Sequence, residues 1–456
     1  MCETYRSAQL HQADGPLDLA RPHFVGIGGV GTSALAHLLA DRGCQVSGSD
    51  LNATPATEAL ARRGVRVAEG HDAAHVDGAT LVVVGSAIRP DNPELAAALQ
   101  QGVPVAHRAQ LLGHLMGGRR SVAVAGTHGK SSTAGMLCTA LQVLGQDPSW
   151  AIGADLDTPG SGARTGSGGI MVAEVDESDR SLTMIRPDVA LVTSIDYDHP
   201  ENYTDLDEVV EAFTGFAAGI PVGGTLVVNT DDDHGLAEKV RAARPDLHVV
   251  TYGHNPDADW RITSTRGLGN TGTATVATPT GQTVAVVISI PGGHQARNAV
   301  GALATLANLG IDVFEAASAL ASFGGLRRRF EQRGALAGVT VVESFAHHPT
   351  AIAADIATAR SITRGRVVVC VEPSGRLRAQ ALAPEFARAL AEADHVVTMG
   401  LHDTAAPGPA DGAEQAAHRL AEAARPGDLV LVMGVGAAHR VPELLLGELQ
   451  ARTPTA

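Results

Sequence analysis

Short apolar runs alternate along the chain, from residue 23 onward, with longer stretches whose apolar positions recur at helical spacing. That alternation predicts successive βαβ units and parallel sheets. Strands are predicted over 23–27, 45–49 and 81–85, with a helix over 33–42 closed by Gly43. Gly117-Gly118-Arg119-Arg120 reads as a linker, and a strand over 121–125 opens a second unit with strands over 170–175, 189–194 and 224–229. Residues 258–290, rich in Thr, Val and Gly, read as inserted hairpin strands, followed by helices over 294–309 and 313–322. Beyond Arg327-Arg328-Arg329, a third unit carries strands near 339–343, 366–371, 395–399 and 429–433. The pattern predicts an α/β fold of three domains in series, 1–118, 119–326 and 327–456.

Length agrees with this count, since 456 residues fit about three domains of roughly 150 residues. Hydrophobic residues make up 44% and charged residues 18%, a balance that supports packed cores and excludes disorder. Aromatics are 3%, so the cores rest on Ala, Val, Leu and Ile. The 34 basic against 49 acidic residues leave −15, with no basic excess to neutralise a nucleic-acid backbone. A local anion pocket remains compatible with that balance. Cys2, Cys44, Cys138 and Cys370 are scattered without a CxxC pair, so neither a disulfide framework nor a zinc site is expected. Residues 1–15 are polar with no apolar signal-peptide core, and no apolar run reaches the length of a membrane span. A soluble cytoplasmic protein is expected, monomer or homodimer, with neither nucleic acid nor membrane as partner. Glycine is in excess at 52 residues, about 11% against a usual share of about 7%.

Three segments place glycines where chemistry is expected. Gly26-Ile27-Gly28-Gly29-Val30-Gly31 matches G-x-G-x-x-G between a predicted strand and helix, and Asp50 ends the next strand. Such glycines let backbone N–H groups approach a diphosphate at a helix N-terminus. The ligand could be a nicotinamide or flavin dinucleotide or another nucleotide diphosphate, and close helix packing is the plain alternative. The second segment, Gly126-Thr127-His128-Gly129-Lys130-Ser131, follows a strand and opens a helix. A strict Walker pattern has Gly where Val124 stands. The working parts are nonetheless present: glycine amides for the phosphates, Lys130 for the β/γ-phosphates and the Ser131 hydroxyl for Mg²⁺. ATP binding is the reading. The third segment, Pro291-Gly292-Gly293-His294-Gln295-Ala296-Arg297-Asn298, taken alone is a helix start.

Two strand ends downstream carry acidic groups. Glu174-Val175-Asp176-Glu177-Ser178-Asp179 sets four carboxylates in six residues, and Asp196-Tyr197-Asp198-His199 follows the next strand. A charge run is usually a solvated turn. At the carboxyl edge of a parallel sheet, where ligands gather, it also suits Mg²⁺. One hydroxyl, one carboxylate and one imidazole around phosphate oxygens form a workable shell. Arg327-Arg328-Arg329-Phe330 reads as a basic linker, and Phe345-Ala346-His347-His348-Pro349-Thr350 as a helix start whose histidines face solvent as readily as a site.

In this order, GIGGVG (26–31), GTHGKSS (126–132), EVDESD (174–179), DYDH (196–199), GGHQARNA (292–299), RRRFE (327–331) and AHHPT (346–350) resemble the Mur ligase family of ATP-dependent amide-forming enzymes. The glycine turn and the HHPT segment favour its alanine-adding branch. The resemblance implies Rossmann-like first and third domains, for the UDP-sugar and the amino acid, flanking a central P-loop-type ATPase domain. It implies ATP and Mg²⁺, and coupling of an amino acid, L-alanine in this branch, to UDP-N-acetylmuramate through an acyl phosphate in peptidoglycan precursor synthesis. By position, Gly126, Thr127, His128, Gly129, Lys130, Ser131 and Ser132 would hold the phosphates, and Ser131, Glu174 and His199 the metal. His294 and Asn298 would face the adenine nucleotide, with Arg329 reaching it. Gly28, Gly29, Gly31, Asp50 and Ser86 would surround the UDP-sugar. His348 and Arg378 would act near the entering amino acid, in a domain that closes over ATP.

Departures from the branch pattern gather in the third unit. Glu343-Ser344-Phe345 stands where the branch has Asp-Asp-Tyr, and Ala351 follows Thr350 in place of Glu. The Asp beside the aromatic belongs to the nucleotide site in that pattern; here it is Ser344, with Glu343 a candidate replacement. Glu372-Pro373-Ser374 replaces Gln-Pro-His, with Arg378 in register, and Gly434-Val435-Gly436-Ala437 replaces Gly-Ala-Gly-Asp. Gln295 and Asp196 replace Asn and Glu. Three readings follow: an alanine-adding ligase with a drifted third domain, a paralogue coupling another amine or carboxylate, and a nucleotide-binding protein without turnover. An NAD-linked dehydrogenase stands outside them.

Overall fold

The computed structural model describes residues 17–156, 162–400 and 410–452. Cys2, the polar stretch 1–15 and part of the glycine-rich loop near 160 lie outside the described residues. The chain forms two compact units: Met1–Ile195 with Val210–Tyr252 and Gly301–Ala319, and Asp196–Val209 with Gly253–Val300 and Leu320–Ala456.

The first unit contains two parallel sheets. One runs in the order Arg66–Glu69, Ser47–Asp50, Pro22–Val25, Leu81–Val84, Val105–His107. The chain enters at the central strand, builds outward, then crosses to the other side. The loop after Pro22–Val25 therefore lies at the switch in strand order, where such sheets bind ligands. Leu81–Val84 is buried at every position, as expected of a parallel strand covered on both faces. The other sheet contains, in order, His248–Gly253, Thr225–Asn229, Val189–Val192, Arg120–Ala125, Ile170–Glu174 and Ser149–Ala151, with Ala163–Arg164 antiparallel beyond them. Its register pairs Val192 with Ala125 and Val124 with Glu174, which brings three strand ends level at one carboxyl edge.

In the second unit, Trp260–Leu268, Thr271–Ala277 and Thr283–Ile288 form the antiparallel hairpins predicted over 258–290, with alternating buried and exposed positions in the last strand. A five-stranded sheet runs in the order Glu331–Leu336, Val339–Ser344, Leu429–Gly434, Val367–Glu372, His395–Thr398, the first strand antiparallel. Its pleat sends Val341, Val368 and Val430 into one apolar cluster and Val342, Val369 and Leu431 into another, so both faces are packed.

The predicted strands and helices form, and the differences have local causes. The first helix begins at Val30 because Gly29, in extended conformation, is its N-cap. Arg120 belongs to a strand, so the predicted linker is shorter than its basic residues suggested. Arg66–Glu69, Val105–His107 and Glu331–Leu336 are sheet edges that sequence pattern did not mark, being short or polar. Among the described residues, Cys44, Cys138 and Cys370 are free thiols, and no helix is long and apolar enough to cross a membrane.

A buried carboxylate joins the elements of the first sheet. Glu94 starts the helix Pro93–Gln101 and is fully buried. It accepts from the Ser49 hydroxyl at 2.6 Å and meets Nδ1 of His75 at 2.7 Å and of His71 at 3.2 Å. Nε2 of His23 stands 3.8 Å away. Burial pushes the carboxyl up, but His23, Ser49 and His75 outweigh it and bring it down to about 2. Removing one partner from a buried charged cluster strands the others. Glu94→Gln is therefore expected to cost about 3 kcal/mol in urea unfolding at pH 7. A depressed carboxyl stabilises above its unfolded pKa of about 4.3 and ceases to do so as pH falls through the folded value. The gap between wild type and variant should accordingly close between about pH 4.3 and about pH 2; a gap independent of pH across that window would refute this role.

Candidate functional site

The loop after Arg120–Ala125 turns sharply into the helix Lys130–Val143. Gly126 (φ 133°) and Gly129 (φ 83°) occupy backbone conformations that side chains disfavour, and a Cβ on Gly126 would collide with Thr193. The loop is held from behind: Thr127 N–H donates to the Ser194 carbonyl at 2.9 Å and His128 N–H to the Ser194 hydroxyl at 3.0 Å. The Thr193 hydroxyl donates to the His128 carbonyl. Ser131 and Ser132 are buried in the first helical turn. This is a glycine cradle at a helix N-terminus, the geometry that suits a phosphate chain.

Lys130 lies inside the cradle. Its Nζ donates to the Gly126 carbonyl at 2.6 Å and to Glu177 Oε2 at 2.7 Å. Burial alone would lower its pKa; Glu177, Asp176 and Glu174 outweigh that and raise it, so the ammonium is charged throughout the physiological range. Ser131 Oγ donates to Glu174 Oε1 at 3.0 Å, so two of the three expected metal ligands are adjacent. Glu174 also accepts from Gly153 N–H at 2.6 Å. An aliphatic hydroxyl beside a carboxylate at a phosphate loop is a hard oxygen pair that fits Mg²⁺.

The remaining acids of the run have partners that sequence reading missed. Arg108, at the start of the helix Arg108–Met116, donates to Asp176 at 3.0 Å and to Asp179 at 2.9 Å. Asp179 also accepts from the Ser86 hydroxyl at 2.6 Å. His107 Nδ1 accepts the Ala109 N–H, so the ring proton sits on Nε2 and points to Ser86 Oγ at 3.0 Å. Burial lowers the pKa of His107 to about 4, so it is neutral at pH 7. Ser86 thus joins the expected sugar pocket to the acidic run. No sequence signal singled out Arg108, whereas Glu177 and Asp179 lay within the quoted run.

At the first glycine turn, Gly28 N–H donates to Asp50 Oδ2 at 2.8 Å, and a Cβ on Gly28 would lie 2.9 Å from that oxygen. Gly29 would clash with Thr32 Oγ1, and Gly31 faces Arg108. The glycines admit close approach, and Asp50 is part of what approaches.

The second unit holds the other expected residues. His199 adopts a left-handed conformation (φ 56°), with Nδ1 3.1 Å from Glu201 and Nε2 3.7 Å from Asp198. Arg378 is buried and donates from Nε to Asp198 at 2.5 Å and from Nη1 to the Ser374 carbonyl at 3.0 Å. Burial alone would raise Asp198, but His199 and Arg378 hold its carboxyl well below the usual range. His348 caps the helix Pro349–Ile362: Nδ1 accepts Thr350 N–H at 3.3 Å, so Nε2–H donates to the Tyr197 carbonyl at 3.1 Å. His347 Nδ1 meets the Phe345 carbonyl at 2.8 Å, and burial takes its pKa down to about 3. His294 and Asn298 share the helix Gly293–Asn308, and Arg329 lies over the Phe345 ring at 4.7 Å.

Three family models match the chain in succession. They are the Mur ligase catalytic domain over residues 21–120, the Mur ligase middle domain over 124–306 and the Mur ligase glutamate ligase domain over 328–436. The chain belongs to the Mur ligase family. It is 42% identical to the UDP-N-acetylmuramate–L-alanine ligase of Streptomyces avermitilis, over 95% of this chain and 98% of that one. It is 44% identical to the enzyme of that name from Streptomyces griseus, over 92% and 95%. Among solved structures, UDP-N-acetylmuramate-alanine ligase from Thermotoga maritima superposes with a TM-score of 0.79 at 25% identity, covering 95% of this chain and all 100% of that one. The murein peptide ligase of Psychrobacter arcticus gives 0.74 at 25% identity, with 96% and 100% covered. This Mur ligase therefore has the family's three-domain architecture and is a nucleotide-binding ligase of cell-wall biogenesis.

The divergent positions of this Mur ligase are tied into its own packing. Glu343 does not replace the lost Asp at 344, because it is buried between Arg328 (2.8 Å) and Arg333. Glu372 accepts the Ala438 N–H at 2.7 Å, and a Cβ on Gly436 would lie 2.5 Å from Glu372 Oε1. The acid missing at Ala437 is thus matched by one facing the same turn from the neighbouring strand. In this Mur ligase, Lys130→Ala is expected to lower ligase turnover by on the order of 10³-fold or more. Steady-state assays on a variant shown folded by thermal melting would check this, and unchanged turnover would remove Lys130 from the phosphate site.

Proposed function

We propose that this Mur ligase couples an amino acid, L-alanine in the first instance, to the lactyl carboxylate of UDP-N-acetylmuramate, converting ATP to ADP and phosphate. The observation that carries the reading is the glycine cradle holding Lys130 beside the Ser131–Glu174 pair. The UDP-sugar occupies the first glycine turn, with Gly28, Gly29, Gly31, Asp50 and Ser86 around it. A carboxylate oxygen of the sugar attacks the γ-phosphorus of ATP; the new O–P bond forms as the bond to the β-phosphate oxygen breaks, and ADP leaves. Lys130 and the amides of residues 129–132 at the helix start take the charge that develops on the phosphate oxygens, so positioning and electrostatics carry the step.

Ser131, Glu174 and His199 would hold Mg²⁺, which neutralises phosphate charge when bound. His294 and Asn298 face the adenine nucleotide, with Arg329 beside it. The amine then attacks the acyl carbon and loses its proton as phosphate departs. Arg378, fixed by Asp198, and His348, fixed by its helix cap, shape the place where that amine enters. Domain boundaries near residues 118 and 326, with Rossmann-like outer domains and a P-loop-type middle domain, accord with this division of labour, in a cytoplasmic protein that is a monomer or homodimer.

A second reading, a Mur ligase for another amine, is favoured by Glu372 and Ser374 standing where the family has uncharged and imidazole side chains. Phosphate release measured with UDP-N-acetylmuramate and each amino acid in turn decides between them. Turnover with L-alanine exceeding that with the other amino acids is the expected result. Turnover confined to a different amine would establish the second reading, and silence with every pair would overturn both.

A further inference from the structure

The buried Glu94 cluster is hydrogen-bonded to the residue that holds the first glycine turn. Ser49, whose hydroxyl donates to Glu94 Oε2 at 2.6 Å, is itself fully buried and stands one residue before Asp50, the last of its strand. The Ser49 carbonyl accepts two N–H groups of the glycine turn, from Gly26 and from Ile27, each at 2.9 Å. Asp50 takes the next one, since its Oδ2 accepts from Gly28 N–H at 2.8 Å. The Asp50 carbonyl accepts from Gly70 N–H at 2.8 Å, and Gly70 (φ 79°) is followed directly by His71, a member of the cluster. Ser49 and Asp50 thus join the glycine turn, the turn at 70–71 and the start of the helix Pro93–Gln101.

The protons of the cluster can be placed. The Ser49 proton goes to Glu94, so His71 Nδ1, 3.0 Å from Ser49 Oγ and 3.2 Å from Glu94 Oε2, meets only acceptors and carries its ring proton there. His75 Nδ1 donates to the other carboxylate oxygen at 2.7 Å. The carboxylate is anchored from its own side too, where Asn92 caps the helix and accepts from Glu94 N–H at 2.9 Å. Apolar side chains of similar volume often stabilise a core as well as a buried ion cluster does. They cannot fix a hydroxyl, and with it a backbone carbonyl, to within the roughly 0.5 Å that a preorganised site needs. The consequence falls on the glycine turn. Its amides at 26, 27 and 28 are spent on residues 49 and 50. The amides that open the helix Val30–Asp41 lack intrahelical partners and are left to face an anion.

We propose that Glu94 is a positioning residue for the sugar nucleotide: acting through the Ser49 hydroxyl, it holds the strand end 49–50, and with it the glycine turn, in the shape that receives the diphosphate. The inference rests on the placement of the UDP-sugar at that turn given under the proposed function. It gives the carboxylate and its histidines a part in substrate binding without contact to the substrate, in addition to their part in stability.

The test measures steady-state kinetics and calorimetric binding of UDP-N-acetylmuramate for the full-length enzyme and three single variants, each below its melting temperature. Ser49→Ala removes one uncharged oxygen and cuts the link between the carboxylate and the strand end. It is expected to raise the KM for UDP-N-acetylmuramate about tenfold and to weaken its binding by a similar factor, with kcat and the KM for ATP within about twofold of wild type. Glu94→Gln should shift the same two quantities in the same direction. The double variant Ser49→Ala/Glu94→Gln should match Ser49→Ala within about twofold, because the two residues act as one unit. His75→Asn removes a donor that bonds to Glu94 and not to the strand end; it should lower the melting temperature and leave the sugar-nucleotide KM within about twofold. An unchanged KM and affinity in Ser49→Ala would overturn the proposal, whether or not Glu94→Gln folds. Additive effects in the double variant would overturn it as well, as would an equal rise in KM in His75→Asn, which is the mark of a role in folding alone. No binding of UDP-N-acetylmuramate by wild type would instead overturn the placement of the sugar nucleotide on which the inference rests.

Discussion

Everything in the first unit's site depends on one buried cation and the carboxylates around it. Lys130 is tolerated in the interior because Glu177 contacts it directly, Asp176 and Glu174 add their charge, and the Gly126 carbonyl accepts from it. The arrangement holds a charged ammonium at the glycine loop of a chain whose formal balance is −15. It also fixes the surrounding acids. With Glu177 on the lysine, Asp176 and Asp179 pair with Arg108, and Glu174 is left beside Ser131. Four carboxylates in six residues would repel one another in a solvated turn. In the folded protein each has a cation, amide or hydroxyl partner, Asp176 and Asp179 sharing Arg108.

Registration of the parallel strands makes this possible. Val124 opposite Glu174 and Ala125 opposite Val192 put the glycine loop, the acidic run and the Thr193–Ser194 support at one edge. The apolar runs that set the register were plain in the sequence, as were the glycine, lysine and serine of the loop, because each of those signals is local. Arg108 was not legible: an arginine at a helix start is ordinary until the fold brings it to Asp176 and Asp179. Glu94 and its histidines were missed for the same reason, since Ser49 reaches it from a strand, His71 from a loop and His75 from a single helical turn. The edge strands escaped because polar or very short segments carry no periodic pattern.

The third domain shows where a motif comparison by itself misleads. Read position by position, it has lost three acids, at 344, 351 and 437, and gained Glu372, while Glu343 keeps an acid where the pattern has Asp. In space, Glu343 belongs to an arginine pair, and Glu372 caps the turn that has no Asp of its own. At this turn the negative charge stands on the neighbouring strand instead of at position 437. A sequence motif records chain position, whereas a ligand responds to the location of the oxygen.

The central claim is that this architecture activates a carboxylate by phosphoryl transfer. The most direct measurement follows oxygen. With ¹⁸O in the lactyl carboxylate of UDP-N-acetylmuramate, attack on the γ-phosphorus followed by amide formation carries one labelled oxygen into the released inorganic phosphate and none into ADP. Phosphate recovered without label, or label found in AMP, would contradict the account.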